Sequence, residues 1–340
     1  MPSGRKTTYA GQLVKEYLAK FPKTPHMTLA KKIYSENPEA FIDAENVRTR
    51  IRYYTGNQGK KNREFAEDFK TEKAQRANEA GVPNPFYLPE EDNEPFEGFE
   101  IPLGKTYGIL ADIHFPYQDN QALTTALTHL QSLDSLGGII LNGDILDFYQ
   151  LSRYEKDPKA RRFAGELQIG RDFLAMLKKE FDVPIYYKIG NHEERYEAYL
   201  RIKAPELLDI EDFRLDVLLR FREHNCHLIT DKRPIKAGKL NIMHGHEFGR
   251  SVFSPVNPAR GYYMRAKSNV ICGHNHQTSE HTEPDMNGKV VTTWSMGALC
   301  NLRPQYMPFN KWNHGFAVLH TDKGGGFNIN NYRISDGDIK

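Results

Sequence analysis

Five short apolar runs, each followed at once by Asp, Asn or His, constrain the fold of this 340-residue chain most strongly. One of them, residues 183–189, continues through Gly190 into Asn191, His192 and Glu193. Short apolar runs of this kind, bounded by turn residues, are typical of buried strands. In an open α/β sheet, the residues that bind ligands collect at the carboxyl ends of the strands. The pattern therefore predicts that polar residues from distant parts of the chain converge on one site.

The other four clusters share this arrangement. They are Asp112-x-His114, Gly143-Asp144-x-x-Asp147, His244-Gly245-His246 and Gly273-His274-Asn275-His276. Carboxylates, an amide oxygen and several imidazoles together suit a pair of borderline divalent metal ions, and they fit calcium or a thiolate zinc site poorly. A lone histidine at a strand end is more often structural, but His114, His244, His274 and His276 together favour a metal site. A structural role remains open for His246, and Asp147 could instead cap a helix.

The five motifs, in this order, resemble those of the calcineurin-like metallophosphoesterase superfamily, which includes protein phosphatases, purple acid phosphatases, cyclic-nucleotide phosphodiesterases and nucleases. The resemblance covers residues 105 to about 320. It implies an α/β fold of the layered kind, a β-sandwich of two mixed sheets flanked by helices, with a small all-α module added at the N-terminus. It also implies a metal-dependent hydrolase of phosphoric esters.

The resemblance further implies a role for each matching residue. Seven of them would be metal ligands: Asp112, His114 and His276 at a first metal, Asn191, His244 and His274 at a second, and Asp144 between the two. His192 would face the phosphate without binding metal, and Asp147 would orient it. Two divalent ions would generate a bridging hydroxide for in-line attack on phosphorus. Mn²⁺ is the expected metal, and Fe, Zn²⁺ or Ni²⁺ are compatible with the same donors. Glu193 and His246 are candidates for supporting the ligands from outside.

Residues 8–55 show the apolar spacing of three short helices, and the last of them carries Arg48, Arg50 and Arg52 on its other face. A basic third helix is typical of helix-turn-helix proteins that bind DNA, so residues 1–63 are predicted to form such a module. An ordinary solvated helix face, or a module that binds a protein, would have the same pattern. A connecting helix and a Pro-rich acidic linker are predicted over 64–104, and the catalytic domain over 105–340.

The motifs predict a reaction but no substrate, because every substrate shares the phosphate. Arg195, Arg250 and Arg265 are candidates for binding it, although Arg195 could equally form a surface ion pair. Two loops, 250–267 and 301–314, mix basic and aromatic residues in a way that suits a nucleic acid or an ordinary packed surface. The leading hypothesis is a phosphodiesterase or nuclease whose partner is nucleic acid. The alternatives are an enzyme for small phosphoesters and a scaffold that binds metal without catalysis.

Composition narrows the remaining possibilities only slightly. The net charge of +2 indicates no particular partner. Cys226, Cys272 and Cys300 form no C-x-x-C pair, which favours a reducing compartment, and Cys272 is expected to be a buried inert thiol. The sequence shows no signal peptide and no apolar run of membrane-spanning length. We therefore expect a soluble cytoplasmic protein with no membrane partner, and the oligomeric state stays open.

Overall fold

The computed structural model describes residues 8–55, 96–152, 163–249 and 256–340. The chain divides into two compact units, Met1–Glu94 and Pro95–Lys340. Most of the predicted connection over 64–104 lies outside the described residues, so its helix and linker stay predictions. None of the described helices is both long and apolar enough to cross a membrane.

The smaller unit contains the three helices that the apolar spacing predicted. They are α1 (Tyr9–Lys20), α2 (His26–Glu36) and α3 (Ala44–Thr55). Their apolar faces enclose a core of Val14, Leu29, Ala30, Ile33, Phe41, Val47 and Ile51. The connection from α2 to α3 spans 37–43 and includes a 3-10 turn, Pro38–Ala40. It is longer than the turn of about three to four residues in DNA-binding helix-turn-helix motifs, so that assignment stays a prediction.

The larger unit is built from thirteen described strands and five described α-helices. The strands are β1 (Phe99–Glu100), β2 (Thr106–Leu110), β3 (Gly138–Asn142), β4 (Ile185–Lys188), β5 (Cys226–Ile229), β6 (Ile235–Ala237), β7 (Leu240–Met243), β8 (Val270–Cys272), β9 (Ser279–Pro284), β10 (Val290–Ser295), β11 (His314–Thr321), β12 (Phe327–Ser335) and β13 (Asp338–Ile339). The helices are α4 (Asn120–Gln131), α5 (Phe163–Phe181), α6 (Glu194–Lys203), α7 (Leu215–Leu218) and α8 (Pro258–Ala266).

The strands form two mixed sheets. The seven-stranded sheet has the order β13-β12-β11-β2-β3-β4-β5, and the six-stranded sheet has the order β1-β6-β7-β8-β10-β9. Strands β2, β3, β4 and β5 are parallel, while β11 joins them antiparallel to β2. In the other sheet β7, β8 and β10 are parallel, and β9 runs antiparallel to β10.

The two sheets pack face to face through apolar side chains. Ile109 and Ile140 of one sheet belong to the same buried cluster as Ile242 and Ile271 of the other. Each such burial contributes about 1.5–3 kcal/mol. Helices α4 and α5 cover the outer face of the seven-stranded sheet, and Tyr262 of α8 packs on the outer face of β8. The predicted α/β sandwich of two mixed sheets flanked by helices is confirmed.

This topology places the polar clusters together. Strands β2, β3 and β4 are adjacent and parallel in one sheet, and β7 and β8 are adjacent and parallel in the other. The carboxyl ends of parallel strands meet at one edge of a sheet. The polar residues that follow β2, β3 and β4 therefore lie close together, and so do those that follow β7 and β8.

Candidate metal centre

One group of side chains brings together the ends of β2 and β8. The Nε2 atoms of His114 and His276 lie 3.4 Å apart. The Oδ1 atom of Asp112 lies 3.1 Å from Nε2 of His276. All three side chains are buried, and they are the residues assigned above to a first metal.

A second group brings together the ends of β3, β4, β7 and β8. Nε2 of His244 lies 3.1 Å from Oδ1 of Asn191 and 3.3 Å from Oδ2 of Asp144. His274 joins His244 and Asp144, with ligand atoms of all three within 4.8 Å of one another. These are the residues assigned to the second metal.

Asp144 lies between the two groups. Its Oδ2 atom is 3.3 Å from Nε2 of His244 and 3.8 Å from Nε2 of His114. Its other oxygen accepts a hydrogen bond of 2.9 Å from the backbone N–H of His192. Asp144 is therefore held in the position that a bridging carboxylate would need.

The electrostatics of the cluster suit added positive charge. Burial lowers the pKa of His244, but Asp144 and Asp112 outweigh burial and raise it to about 10. Burial likewise opposes the effects of Asp112 and Cys300 on His276, yet its pKa lies well above the usual value. In contrast, burial and His244 lower the pKa of His274 to about 4, and burial and His192 lower that of His114. His274 and His114 are thus neutral and can coordinate a metal ion. Beside His244 and His276 the carboxylates favour a positive charge, which a metal ion can supply in place of the ring proton.

The donor set fits a pair of divalent ions. Carboxylates, imidazoles and one amide oxygen are the ligands that borderline first-row metals accept. His244 donates from Nδ1 to the carbonyl oxygen of Asn142 at 2.8 Å, so Nε2 is the nitrogen that can bind a metal once it loses its proton. Such a bond to the second nitrogen is the usual support for a histidine ligand.

Backbone strain concentrates in this cluster. Five of its residues have positive φ, a conformation that is uncommon outside glycine. They are Asp112 (φ 54°), His114 (φ 51°), Asp144 (φ 53°), His274 (φ 66°) and His276 (φ 55°). Each such residue costs about 1–3 kcal/mol, and strain of this kind collects where function fixes side chains.

The glycines that precede two of the ligands allow close approach. A Cβ atom added to Gly190 would collide with the backbone and carboxylate of Asp144. One added to Gly273 would collide with the carboxylate of Asp112. The glycine at the end of each strand therefore lets neighbouring clusters touch.

His192 lies at the edge of the cluster and is held by Asp147. Its Nδ1 atom donates to the backbone oxygen of Asp147 at 2.8 Å and lies 3.0 Å from the Asp147 carboxylate. Nε2 of His192 lies 3.7 Å from Oδ2 of Asp144. Burial raises the pKa of Asp147, but the bonds from His114 and His192 outweigh burial and hold it well below its usual value. Asp147 is thus an ionised acceptor for both histidines.

Arg195 also contacts this pair. Its guanidinium donates to the Asp147 carbonyl oxygen at 2.9 Å, and a second nitrogen lies 3.0 Å from Nε2 of His192. Among the described residues, Arg195 makes these two contacts and no ion pair with a carboxylate. Arg195 can donate to His192 only when Nε2 carries no proton. Burial lowers the pKa of His192, but Asp144 and Asp147 outweigh burial and raise it, so they favour the protonated ring, in which Nε2 is a donor.

Glu193 organises the loops around the cluster. Its buried carboxylate accepts hydrogen bonds from the Tyr187 hydroxyl (2.9 Å) and from four backbone N–H groups. Those groups belong to Asp144 (3.0 Å), Ile145 (2.8 Å), Leu146 (3.0 Å) and Gly190 (3.0 Å). Glu193 therefore joins the β3 loop to the β4 loop, as a residue supporting the ligands would.

A buried ion pair that the motifs do not include supports His244. Nζ of Lys188, on β4, lies 2.9 Å from Oε1 of Glu247. Glu247 accepts from the backbone N–H of His244 at 3.2 Å and of Gly245 at 2.6 Å. A lysine inside an otherwise apolar strand was the signal in the sequence that a buried partner was needed. His246 instead pairs with Glu194 at 3.0 Å.

The residues of 250–267 that could form a substrate rim lie in different environments. Tyr262 is 1% exposed, and its hydroxyl donates to the Gly273 carbonyl oxygen at 2.9 Å, so it supports the His274 loop and is not a rim residue. Of the two roles left open for 250–267, packing is the one that the structure shows at Tyr262, because this side chain lies against β8. Arg265 is exposed on α8, and Arg250 lies outside the described residues.

The loop over 301–313 does reach the cluster. The Trp312 ring lies 4.3 Å from the ring of His276, and Tyr306 lies 6.5 Å from Trp312. Tyr306 and Phe309 are 76% and 96% exposed, respectively. Aromatic surface therefore extends outward from the first ligand group.

The basic face of α3 is less positive than the sequence indicates. Arg48 lies 3.1 Å from Glu45, one turn earlier. Arg50 is half-buried, and its Nε lies 3.5 Å from Oδ1 of Asn46. Arg52 and Tyr53 are exposed.

The chain is similar to two phage proteins and to one solved structure. The chain is 28% identical over 233 residues to the Gene 54 protein of Mycobacterium phage L5, which covers 65% of this chain and 90% of the relative. It is 27% identical over 234 residues to the Gene 54 protein of Mycobacterium phage D29, with the same coverage. A crystal structure of a Vps29 single mutant from Entamoeba histolytica aligns at 14% identity and a TM-score of 0.37, covering 69% of this chain and 96% of that one. No protein-family profile matches the sequence.

Proposed function

We propose that this protein is a metal-dependent phosphodiesterase that hydrolyses nucleic acid at a centre for two divalent ions. The observation that carries the proposal is the convergence of the two ligand groups on Asp144. Asp144 lies 3.3 Å from a nitrogen of one group and 3.8 Å from a nitrogen of the other. The sequence motifs that supply these groups are those of the metallophosphoesterases.

The metals would be held by Asp112, His114 and His276 at one position and by Asn191, His244 and His274 at the other, with Asp144 shared. Two divalent ions held there would supply a Lewis acid for the phosphate and would lower the pKa of bound water. His192 is held by Asp147 with Nε2 toward Asp144, so it can donate to a phosphate oxygen or to the leaving oxygen. Arg195, 3.0 Å from His192, adds positive charge on the same side.

Nucleic acid is proposed as the substrate because two features suit it. The exposed rings of Tyr306 and Phe309 lie on the loop that contacts His276 through Trp312, and bases stack on such rings at about 1–3 kcal/mol each. Arg52 and Tyr53 of α3 are exposed in the smaller unit and offer charge and stacking surface. Stacking and charge of this kind would bind a nucleic acid whatever its base sequence.

A small phosphoester is the second candidate, and one cavity favours it. A cavity of about 460 Å³ is lined by Trp312, Asp119, His314 and Arg333 among others. That volume lies in the range of small-ligand sites. In this case α1 to α3 would bind a partner.

Substitutions in α3 separate the two candidates. Arg48→Ala/Arg52→Ala should weaken binding of DNA or RNA and reduce the slope of log affinity against log salt by about 1–2. Lys23→Ala/Lys31→Ala removes the same charge from exposed positions elsewhere in the unit and should have less effect. Turnover of plasmid, single-stranded DNA, RNA, cyclic nucleotides and nitrophenyl esters by metal-loaded protein then identifies the substrate class. Unchanged nucleic-acid binding and slope would contradict this role for α3.

A further inference from the structure

The thiol of Cys300 lies in the candidate metal centre. Ligand atoms of Cys300, His114 and His276 lie within 4.8 Å of one another, and all three residues are buried. The other two cysteines have different surroundings. Cys272 packs with Tyr262 and Val270, and Cys226 packs against the core beneath the seven-stranded sheet. Within the described part of the chain, neither belongs to a cluster of this kind.

Hydrogen bonds fix the backbone on both sides of Cys300. The N–H of Leu299 donates to the Asp112 carbonyl oxygen at 3.0 Å, and the N–H of Asn301 donates to that of Tyr117 at 2.8 Å. Nε2 of His314 donates to the carbonyl oxygen of Cys300 itself at 3.0 Å. The segment is thus joined to the loop that carries Asp112 and His114. The sulfur has a fixed position beside the first ligand group, as preorganised ligands do.

His276 is the second observation that points to a ligand. Histidine ligands almost always bond their second ring nitrogen to a carboxylate, a carbonyl or water. Nδ1 of His276 is buried and has no hydrogen-bond partner among the described residues. Beside this ring lie Trp312, at 4.3 Å between ring centres, and the Cys300 thiol. The polar group beside this ring is the Cys300 thiol, which interacts with His276 and lies within 4.8 Å of the ligand atoms of both His114 and His276.

We propose that Cys300 is a further ligand of the first metal position, where its sulfur joins Asp112, His114 and His276. The proposal rests on the proposed function to the extent that this position holds a metal. On binding, the thiol proton passes to solvent and a thiolate–metal bond forms, with no change of oxidation state.

A sulfur donor changes which metal the first position prefers. Thiolate and imidazole ligands favour Zn²⁺, Co²⁺ or iron, whereas Mn²⁺ prefers oxygen. The second position has only oxygen and nitrogen donors, from Asn191, His244, His274 and Asp144. The two positions should therefore differ in metal preference, with the softer ion beside Cys300. Mn²⁺, expected from the motifs alone, would suit the second position better.

Cobalt substitution tests this assignment without relying on turnover. The full-length protein is loaded with two equivalents of Co²⁺, and its near-ultraviolet spectrum is recorded for a thiolate-to-cobalt charge-transfer band. The wild type and Cys226→Ser should show the band. Cys300→Ser should bind Co²⁺ without it, and its affinity for Zn²⁺ should fall by about 10- to 100-fold, the range for altered ligand shells.

The outcomes separate this proposal from the proposed function. Two bound Co²⁺ ions without a band in the wild type, or a band that persists in Cys300→Ser, would overturn the role of Cys300 and leave the metal centre intact. Failure of the wild type to bind Co²⁺ would overturn both. If Cys300→Ser and Cys300→Ala fail to fold, X-ray absorption on zinc-loaded wild type decides. Sulfur at about 2.3 Å from zinc supports the ligand, and only nitrogen and oxygen neighbours overturn it.

Discussion

Nδ1 of His192 lies 2.8 Å from the backbone oxygen of Asp147 and 3.0 Å from its carboxylate. This pairing fixes the ring so that its other nitrogen points toward Asp144. The same carboxylate lies 3.0 Å from Nδ1 of His114 in the first ligand group. Asp147 therefore couples the group proposed to meet the phosphate to a group proposed to hold metal.

His192→Ala should abolish most turnover while leaving the metal content unchanged. The side chain supplies a proton donor and no predicted metal ligand, so the expected loss in kcat is about 10²- to 10⁴-fold. Metal content by mass spectrometry and kcat on a nitrophenyl phosphodiester are measured on the same sample. Asp147→Asn should lower kcat less than His192→Ala does. It should also weaken metal binding, because the Asp147 carboxylate contacts His114 as well as His192. Full turnover by metal-loaded His192→Ala would remove this residue from the mechanism.

Glu193→Gln should destabilise the larger unit although the side chain keeps its shape. An amide group would face backbone N–H donors that the carboxylate now accepts from. We expect a loss of about 2–4 kcal/mol in the free energy of unfolding. Glu197→Gln, in the exposed ion pair with Arg201, is the control and should change stability by less than about 1 kcal/mol. Urea denaturation compares them, and equal stabilities would show that Glu193 is not a structural acceptor.

Metal affinity should rise with pH between 6 and 9. Asp144 and Asp112 raise the pKa of His244 to about 10 without metal, so this ring is protonated at neutral pH. Metal binds the neutral ring, and the displaced proton makes affinity rise by about tenfold per pH unit for each proton released. Because the pKa of His244 is higher in the folded protein than in the unfolded chain, the protonated ring stabilises the metal-free protein at low pH. This stabilisation is lost as the pH rises toward 10. Titration calorimetry in two buffers of different ionisation enthalpy counts the protons. Affinity independent of pH would contradict the charge state derived for His244.

Glu166→Gln should stabilise the protein at pH 8. Glu166 is buried, its Oε2 has no hydrogen-bond partner among the described residues, and burial with Asp147 raises its pKa to about 8. The folded state keeps a proton here that the unfolded state has lost, so wild-type stability falls as pH rises from about 4.5 to 8. The substitution should gain about 1–3 kcal/mol at pH 8 and little at pH 4. Glu180→Gln, exposed on the same helix, should show no such pH dependence in thermal melting.

The strand ends were predictable because their residues are local in sequence. A buried strand followed by Asp or His can be recognised without its neighbours, and β3, β7 and β8 lie where the apolar runs predicted them. Strand β9 was missed because its side chains are mostly exposed and polar. The role of residues 258–266 stayed open because a packed tyrosine and a rim tyrosine look alike in sequence, and only the structure shows that Tyr262 is buried.

Other parts of the site depend on packing, which no single sequence displays. The positive φ angles of Asp112 and His276 cannot be read from their residue types. Cys300 lies beyond every motif and approaches His114 only because its segment is hydrogen-bonded to the β2 loop. In the sequence, Glu247 and Glu166 look like ordinary acidic residues, because neither their burial nor the Lys188 partner of Glu247 is visible there.

The rate of hydrolysis of a nitrophenyl phosphodiester, measured against equivalents of divalent metal added to metal-free protein, tests the central claim most directly. The claim predicts no turnover without metal and a rise that saturates at two equivalents. Asp144→Asn, which removes a carboxylate shared by both groups, should lower that plateau by at least about 10- to 100-fold. A protein that binds two equivalents and hydrolyses no phosphoester would contradict the claim.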